Sequence, residues 1–270
     1  MQKPDRYAVI GNPVAHSKSP DIHAIFARQT GQNMIYERLL APLEGFSSTI
    51  IKFIAEGGKG ANVTVPFKLE AYEMASDLTA RAKSAGAVNT FKFEGNSILG
   101  DNTDGVGLIT DIVRNAGMQI RGKRVLLLGA GGAARGVMLP LIEQNPAGMV
   151  IANRSLAKAA DLAQRFSASG SVGVSAFGEL KGQFDLIINA TSASISDDMP
   201  PVPEIVFGAG TLALDMMYGS QLTRFLRFAA EHGASVRDGF GMLVEQAAES
   251  FFVWRGIRPD TKPVFLALRP

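Results

Sequence analysis

The sequence predicts a two-domain α/β protein with mostly parallel sheets. Short apolar runs of strand length alternate with longer amphipathic stretches along the whole chain, which is the pattern of successive β-α-β units. One run, Arg124 to Leu128, is apolar without alternation, as a parallel strand buried on both faces must be. The 270 residues, 46% of them hydrophobic, are enough to build two cores of ordinary size.

The first part should hold strands near Tyr7–Ile10, Met34–Leu40, Gly60–Thr64, Asn89–Phe93 and Ser97–Leu99. Helices are expected near Pro20–Gln29, Gly45–Ala55, Phe67–Ala75 and Leu78–Ser84. The turn Glu94-Gly95-Asn96, set between two short apolar runs, reads as a hairpin. Thr103–Gly117 reads as one helix joining the two domains. The texture changes after the polar turn Arg121-Gly122-Lys123, where the buried strand begins. Further strands follow near Gly148–Ala152, Phe184–Ala190, Thr211–Met216 and Ala234–Arg237, with a weaker segment at Ser171–Ser175. Pro140 falls inside the helix after the glycine-rich turn and should kink it. The last long helix, Met242 to about Arg255, brings Leu243, Ala247, Phe251 and Trp254 to one face. The division expected is residues 1–102 for the first domain and 103–239 for the second, with a ligand in the cleft between them.

Composition removes several classes. A net charge of +2 is too small for a nucleic-acid surface or a polybasic membrane patch. No cysteine is present, so neither disulfides nor cysteine-held metal centres are available. His16, His23 and His232 lack the spacing of a zinc site, so no metal is expected. The N-terminal residues lack an apolar leader segment, and no apolar run reaches the roughly 20 residues of a membrane helix. A cytoplasmic protein is therefore expected. Whether it is a monomer or a homodimer is not written in the sequence.

The strongest local signal is GAGGAAR at residues 129–135, directly after the buried strand. Gly129, Gly131 and Ala134 fill the positions of the dinucleotide fingerprint G-x-G-x-x-A. The first glycine allows the tight turn. The second lets backbone N–H groups approach a pyrophosphate, and the small third residue lets helix and strand pack closely. Gly132 and Ala133 complete the turn at the start of a helix whose positive end faces the phosphates. The next strand ends in Asn153-Arg154-Ser155, with Lys158 one turn on, where an NAD-binding protein usually carries a carboxylate. A guanidinium there can pair with a 2′-phosphate, so the expected cofactor is NADP.

Other segments suit a small polyhydroxylated acid. Ser17 and Ser19 precede Pro20 at a helix start, where two hydroxyls beside a positive helix end suit a carboxylate, although Ser19 also reads as a simple N-cap. Asn62 and Thr64 alternate with Val63 and Val65 and should share a strand face, bonded either to ligand hydroxyls or within the domain. Lys68 falls in a first helical turn, where its charge opposes the helix dipole. Asp104 begins a helix and doubles as an N-cap candidate.

Taken together, GNPVAHSKSP at 11–20, GANVTVPFK at 60–68, GAVNT at 86–90, DNTDG at 101–105 and DGFGMLVEQA at 238–247 join GAGGAAR and NRS in one set. In order and spacing the set resembles the shikimate dehydrogenase family over nearly the whole chain. The resemblance implies a Rossmann-type NADP-binding domain behind an N-terminal substrate-binding domain, with C-terminal helices of about 240–270 packing back on the latter. It implies Lys68 and Asp104 as the catalytic pair. It places Ser17, Ser19, Asn62, Thr64, Asn89, Tyr218 and Gln246 around a shikimate-like ring. The cofactor would be held by Gly129, Ala130, Gly131, Gly132, Ala133, Asn153, Arg154, Ser155, Lys158, Thr191, Met216 and Gly239. The implied reaction is the NADP-dependent interconversion of 3-dehydroshikimate and shikimate, in aromatic amino acid biosynthesis. Two alternatives stay open: a quinate/shikimate dehydrogenase of broader choice, and a non-catalytic NADP-binding regulator on the same scaffold. Two positions depart mildly from the family pattern: Ser155 stands where threonine is common, and Lys158 where arginine often appears.

Overall fold

A computed structural model describes residues 3–268. The chain opens with β1 (Asp5–Gly11), α1 (Ser19–Thr30), β2 (Met34–Leu40), α2 (Phe46–Ala55) and β3 (Gly58–Val63). It continues through α3 (Lys68–Met74), β4 (Asp77–Leu78), α4 (Ala80–Ala85), β5 (Thr90–Glu94) and β6 (Ser97–Asp101). After α5 (Asp104–Thr110) come β7 (Arg124–Leu128), α6 (Gly132–Glu143), β8 (Gly148–Ala152), α7 (Leu156–Arg165) and β9 (Val172–Ser175). The last elements are β10 (Leu186–Asn189), β11 (Leu212–Asp215), α8 (Arg224–Glu231), β12 (Ser235–Arg237), α9 (Phe240–Arg255) and α10 (Lys262–Leu268).

Two compact units result. The first comprises the chain up to Gly107 together with the C-terminal stretch from Leu243 onward, and the second runs from Leu108 to Met242. The first crossing therefore lies a few residues later than the expected 102/103 boundary. The reason is local: Thr103 and Asp104 are hydrogen-bonded to Asn89, which ties the first turn of α5 to the first unit. The expected single helix over 103–117 is also not uniform. α5 passes into a π turn at Asp111–Asn115, where the buried Asp111 carboxylate accepts from the Arg237 guanidinium and from the Asn115 amide.

The first unit's sheet has the order β2-β1-β3-β5-β6-β4. β1 runs parallel to both of its neighbours, and β4 runs parallel to β6. β5 is antiparallel to β3, and the tight turn at Gly95, with φ +59°, folds β6 straight back antiparallel on β5. The short β4 was not apparent in the sequence, since two residues carry no period. On one side of the sheet Phe46, Ile50, Phe53, Phe67 and Phe91 form a core with Ile10 and Val63.

The second unit is a six-stranded parallel sheet of order β12-β11-β10-β7-β8-β9. Strand order reverses beside β7, so the residues after β7 sit at the switch point of a doubly wound fold. Val125 and Leu127 enter the core on one face, while Leu126 and Leu128 enter the core on the other. That is why the strand is apolar at every position from Val125 to Leu128. α6 runs on through Pro140, which removes one backbone donor from the helix.

α9 is buried on most of its circumference, with Val244, Ala247, Ala248, Phe251 and Trp254 all in the interior. The Trp254 indole donates to the Phe91 carbonyl at 2.8 Å. Beside it His23, fully buried, stacks on Tyr36 at 4.2 Å between centroids and lies near Phe26, Phe251 and Trp254. Neither ring nitrogen of His23 has a hydrogen-bond partner. Burial lowers its pKa to about 3, against a weaker opposing effect of Asn62. No helix among the described residues is long and apolar enough to cross a membrane.

The sign of the His23 effect is set by linkage. Between its unfolded pKa near 6.5 and about 3, the unfolded chain binds a proton that the folded chain refuses. Stability from this group is therefore full above pH 6.5 and falls as pH drops, by about 2 kcal/mol between pH 7 and pH 5. Thermal melts of His23→Phe should show a smaller loss over that interval than the wild type. An identical loss in the two proteins would mean that His23 is not held neutral.

Candidate active site

Lys68 opens α3 and Asp104 opens α5. Phe67, stacked on Phe46 at 4.9 Å and almost fully buried, anchors the turn that presents Lys68. The Val88 N–H bonds to the Lys68 carbonyl at 2.9 Å and fixes its backbone. These placements bring the Lys68 ammonium to 2.5 Å from Asp104 Oδ2, with side-chain exposures of 16% and 6%. At that burial the two charges are only partly screened, and removing either partner would strand the other. The carboxylate is held from its second oxygen as well, by the Asn89 amide at 2.7 Å.

A buried polar network surrounds the pair. Asn89 Oδ1 accepts from the Thr103 N–H at 2.8 Å and from the Thr90 hydroxyl at 2.9 Å. Gln246, on α9, points its Oε1 toward the Asn89 amide at 3.4 Å and the Thr103 hydroxyl at 3.3 Å. Ser250, one turn further along α9, bonds Thr90 and Thr103. Thr90 and Thr103 lie within the motifs GAVNT and DNTDG without an assigned role, and Ser250 lies outside the motif set. Ser250 was nonetheless readable as the residue four after Gln246, on the same helix face.

Ser17 and Ser19 are both buried, at 8% and 4% exposure. Lys18 occupies the N-cap of α1, Ser19 is its first residue and Pro20 its second, so Ser19 is not the cap. The Ser17 hydroxyl accepts from the Ser19 N–H at 3.3 Å, and Arg38 of β2 donates to the Ser17 carbonyl at 2.9 Å. Arg38, which also pairs with Asp21 at 3.6 Å, thus fixes the Ser17 backbone, a contribution no motif announced.

Of the two roles that alternation left open for Asn62, its side chain takes the one bonded within the unit. Its amide donates to the Thr90 hydroxyl at 3.0 Å and to Ser250 at 2.9 Å, and its carbonyl accepts from Tyr36 at 2.7 Å. It joins β3, β5 and α9, the within-domain role that its alternation on the strand also allowed. Thr64 lies one residue past the end of β3, so strand alternation does not set its direction.

The second unit carries the cofactor-type residues. Gly129 has φ +107°, and a Cβ there would crowd the Ala190 carbonyl and Thr191, so only glycine makes this turn. Its N–H bonds to the Ala152 carbonyl at 2.8 Å, which ties the glycine turn to the end of β8. Gly131 is the N-cap of α6 and faces open space, leaving its backbone approachable. Ala130 and Ala134 are buried, while Gly132 and Ala133 begin α6 and are half-buried. Asn153 donates to the Ser155 carbonyl at 2.9 Å, and the Ser155 hydroxyl caps α7 by accepting from the Lys158 N–H. Arg154 and Lys158 are exposed.

Thr191 is fixed through Asn189, whose Oδ1 accepts from its hydroxyl at 2.7 Å and its N–H at 3.1 Å. Asp215, fully buried, accepts from Ser194, Thr223 and the Met217 N–H, which sets the path of Met216 and Tyr218. Gly239 presses on the Met216 backbone where a Cβ would overlap it, and donates to the Met217 carbonyl at 2.9 Å. An approachable glycine turn, an α6 N-terminus and exposed cations beyond β8 fit an anionic dinucleotide with a 2′-phosphate.

Fold and chemistry define an NADP-type α/β oxidoreductase. Sequence models for the shikimate dehydrogenase substrate binding domain, shikimate / quinate 5-dehydrogenase and the shikimate 5'-dehydrogenase C-terminal domain match residues 9–91, 111–196 and 239–264. A shikimate dehydrogenase (NADP(+)) of Herminiimonas arsenicoxydans is 65% identical over 98% of this chain and 97% of the relative. One from Nitrosospira multiformis is 62% identical, again over 98% and 97% of the two chains. Among solved structures, the Thermus thermophilus shikimate 5-dehydrogenase in complex with NADP(H) and shikimate superposes with a TM-score of 0.85. It is 32% identical to this chain, and 95% of each chain is covered. The chain belongs to the shikimate dehydrogenase family.

Arg154→Ala should weaken NADPH by about one to two orders of magnitude while NADH changes little, because a hydrogen bond to a charged group is worth roughly 1.5–3 kcal/mol. Fluorescence titration of both nucleotides checks this. Equal losses would place Arg154 away from the 2′-phosphate.

Proposed function

We propose that this protein interconverts 3-dehydroshikimate and shikimate with NADP, in the cytoplasm, as a step of aromatic amino acid biosynthesis. The observation that carries the reading is the close Lys68–Asp104 pair within a unit that also holds Ser17, Ser19, Asn89 and Gln246. When bound, NADPH supplies the hydride to the ring ketone. Lys68, as the ammonium, gives a proton to the alkoxide that forms, and in the reverse direction the neutral amine takes the hydroxyl proton. Asp104 orients that amine and accepts from a neighbouring ring hydroxyl. Ser17 and Ser19 bind the ring carboxylate, with Arg38 fixing the Ser17 backbone. Thr64, Asn89 and Gln246 would bond ring hydroxyls, with Asn62 supporting them from β3, and in the second unit Met216 and Gly239 would serve the nicotinamide. The first unit, the chain up to Gly107 with the stretch from Leu243 onward, serves the ring. The Rossmann unit serves the dinucleotide.

Lys68→Ala should lower kcat by about 10²- to 10⁴-fold, the usual worth of a positioned acid–base group, with NADPH affinity unchanged. Absorbance of NADPH during shikimate oxidation reads the rate. Near-normal turnover would remove Lys68 from the mechanism. The same assay with quinate and with NAD separates this reading from an enzyme of broader choice, which would give comparable kcat/KM values for both acids.

A further inference from the structure

Asp101 and Glu249 are buried carboxylates, at 2% and 6% exposure, that play no part in the proton transfer. One side chain serves both. Arg81, in α4, donates from Nε to Asp101 Oδ1 at 2.6 Å and from a terminal nitrogen to Asp101 Oδ2 at 2.6 Å. Its other terminal nitrogen donates to Glu249 Oε1 at 2.8 Å. A planar guanidinium can fill these three directions at once, and an ammonium cannot.

What Asp101 does next matters for the reaction. Its Oδ1 also accepts from the Asn102 N–H at 2.7 Å, which sets the backbone just beyond β6. Asn102 in turn donates to the Ala87 carbonyl at 3.0 Å and accepts from the Asp104 N–H at 3.2 Å. The Asp101 carbonyl accepts from the Asn89 N–H at 3.0 Å. At the other end Glu249 lies three residues after Gln246 on α9, with Arg258 on its second oxygen. Burial pushes the Asp101 carboxyl up, but Arg81, helped by Thr79 and the Asn102 N–H, outweighs it and holds the group below the usual carboxylate range.

We propose that Arg81 is a positioning residue for the acid–base pair, setting Asp104 against Lys68 through Asp101 and Asn102 while tying the Gln246 helix to the same segment through Glu249. Arg81 spends its donors on Asp101 and Glu249 and reaches the pair only through them. The inference rests on the reading of Lys68 and Asp104 as the acid–base pair. Displacement of a catalytic group by about 1 Å can cost a factor of about 100 in rate, which is the scale to expect.

The test is a double-mutant cycle on the full chain with Arg81→Lys, Asp104→Asn and the two combined, measured for shikimate oxidation at saturating NADP. Arg81→Lys should lower kcat by about tenfold to a hundredfold with KM for NADP unchanged. In the Asp104→Asn background the same change should cost less than about twofold, because the group that Arg81 places is already lost. Shikimate affinity by calorimetry should follow the same pattern without depending on turnover. Should Arg81→Lys fail to fold, Asp101→Asn takes its place in the cycle with the same expectation. Unchanged kcat, or an equal loss in both backgrounds, overturns the proposal. A wild type that does not oxidise shikimate with NADP sinks the function proposed above, and the calorimetric cycle then judges Arg81 separately.

Discussion

Burying a polar side chain is costly unless it meets a partner, and outside the unpartnered His23 ring the first unit is organised around that requirement. Asn62, Asn89, Thr90, Thr103 and Ser250 are buried with exposures of 5% or less. An unpartnered amide or hydroxyl in such a place costs roughly 2–7 kcal/mol. Here donors and acceptors from β3, β5, the turn before α5 and α9 answer one another. The network leaves little freedom for Asp104, and through Asp104 for Lys68. The stiffness of the Lys68–Asp104 pair is thus inherited from a core that happens to be polar.

The second unit solves a different problem with different means. Its ligand-facing geometry is backbone: a left-handed Gly129, an approachable Gly131 and a glycine at 239 close against Met216. Its candidate selectivity residues under the proposed function, Arg154 and Lys158, are exposed and lie beyond a strand whose own residues are largely committed to packing. Buried, cross-braced groups suit a step that needs sub-ångström placement. Exposed cations suit recognition of a charge, where a salt-screened attraction is enough.

Legibility in the sequence followed the physics of each feature. β7 could be placed because a strand buried on both faces leaves an unbroken apolar run, and β2 and β8 because their ends are marked by polar turns. Gly129 and Arg154 stood out because their roles depend on residue type at a fixed offset from a strand. β4 has too few residues to show a period, and the π turn at Asp111 depends on Arg237, a partner 126 positions away. Asn62 shows the limit most sharply. Alternation correctly named it as a polar residue on a buried strand, but whether it faces a ligand or Tyr36 and Ser250 is decided by chain far from it in sequence. Arg81 was invisible for the same reason, since its meaning comes from Asp101 and Glu249 together.

The first unit is written in two pieces, because Leu243 and the residues after it complete what the N-terminal stretch begins. Synthesis on a ribosome therefore delivers the last tiles of that interior, Gln246, Ser250 and Trp254, only after the whole parallel sheet has emerged. Until then Thr90, Thr103 and the back of the first sheet lack their α9 partners, and the nascent N-terminal half carries an unfinished, wettable core. The middle unit can close on itself meanwhile, as domains tend to fold as units during translation. Synthesis order thus leaves the first unit to be completed by helices made after the whole of the second unit.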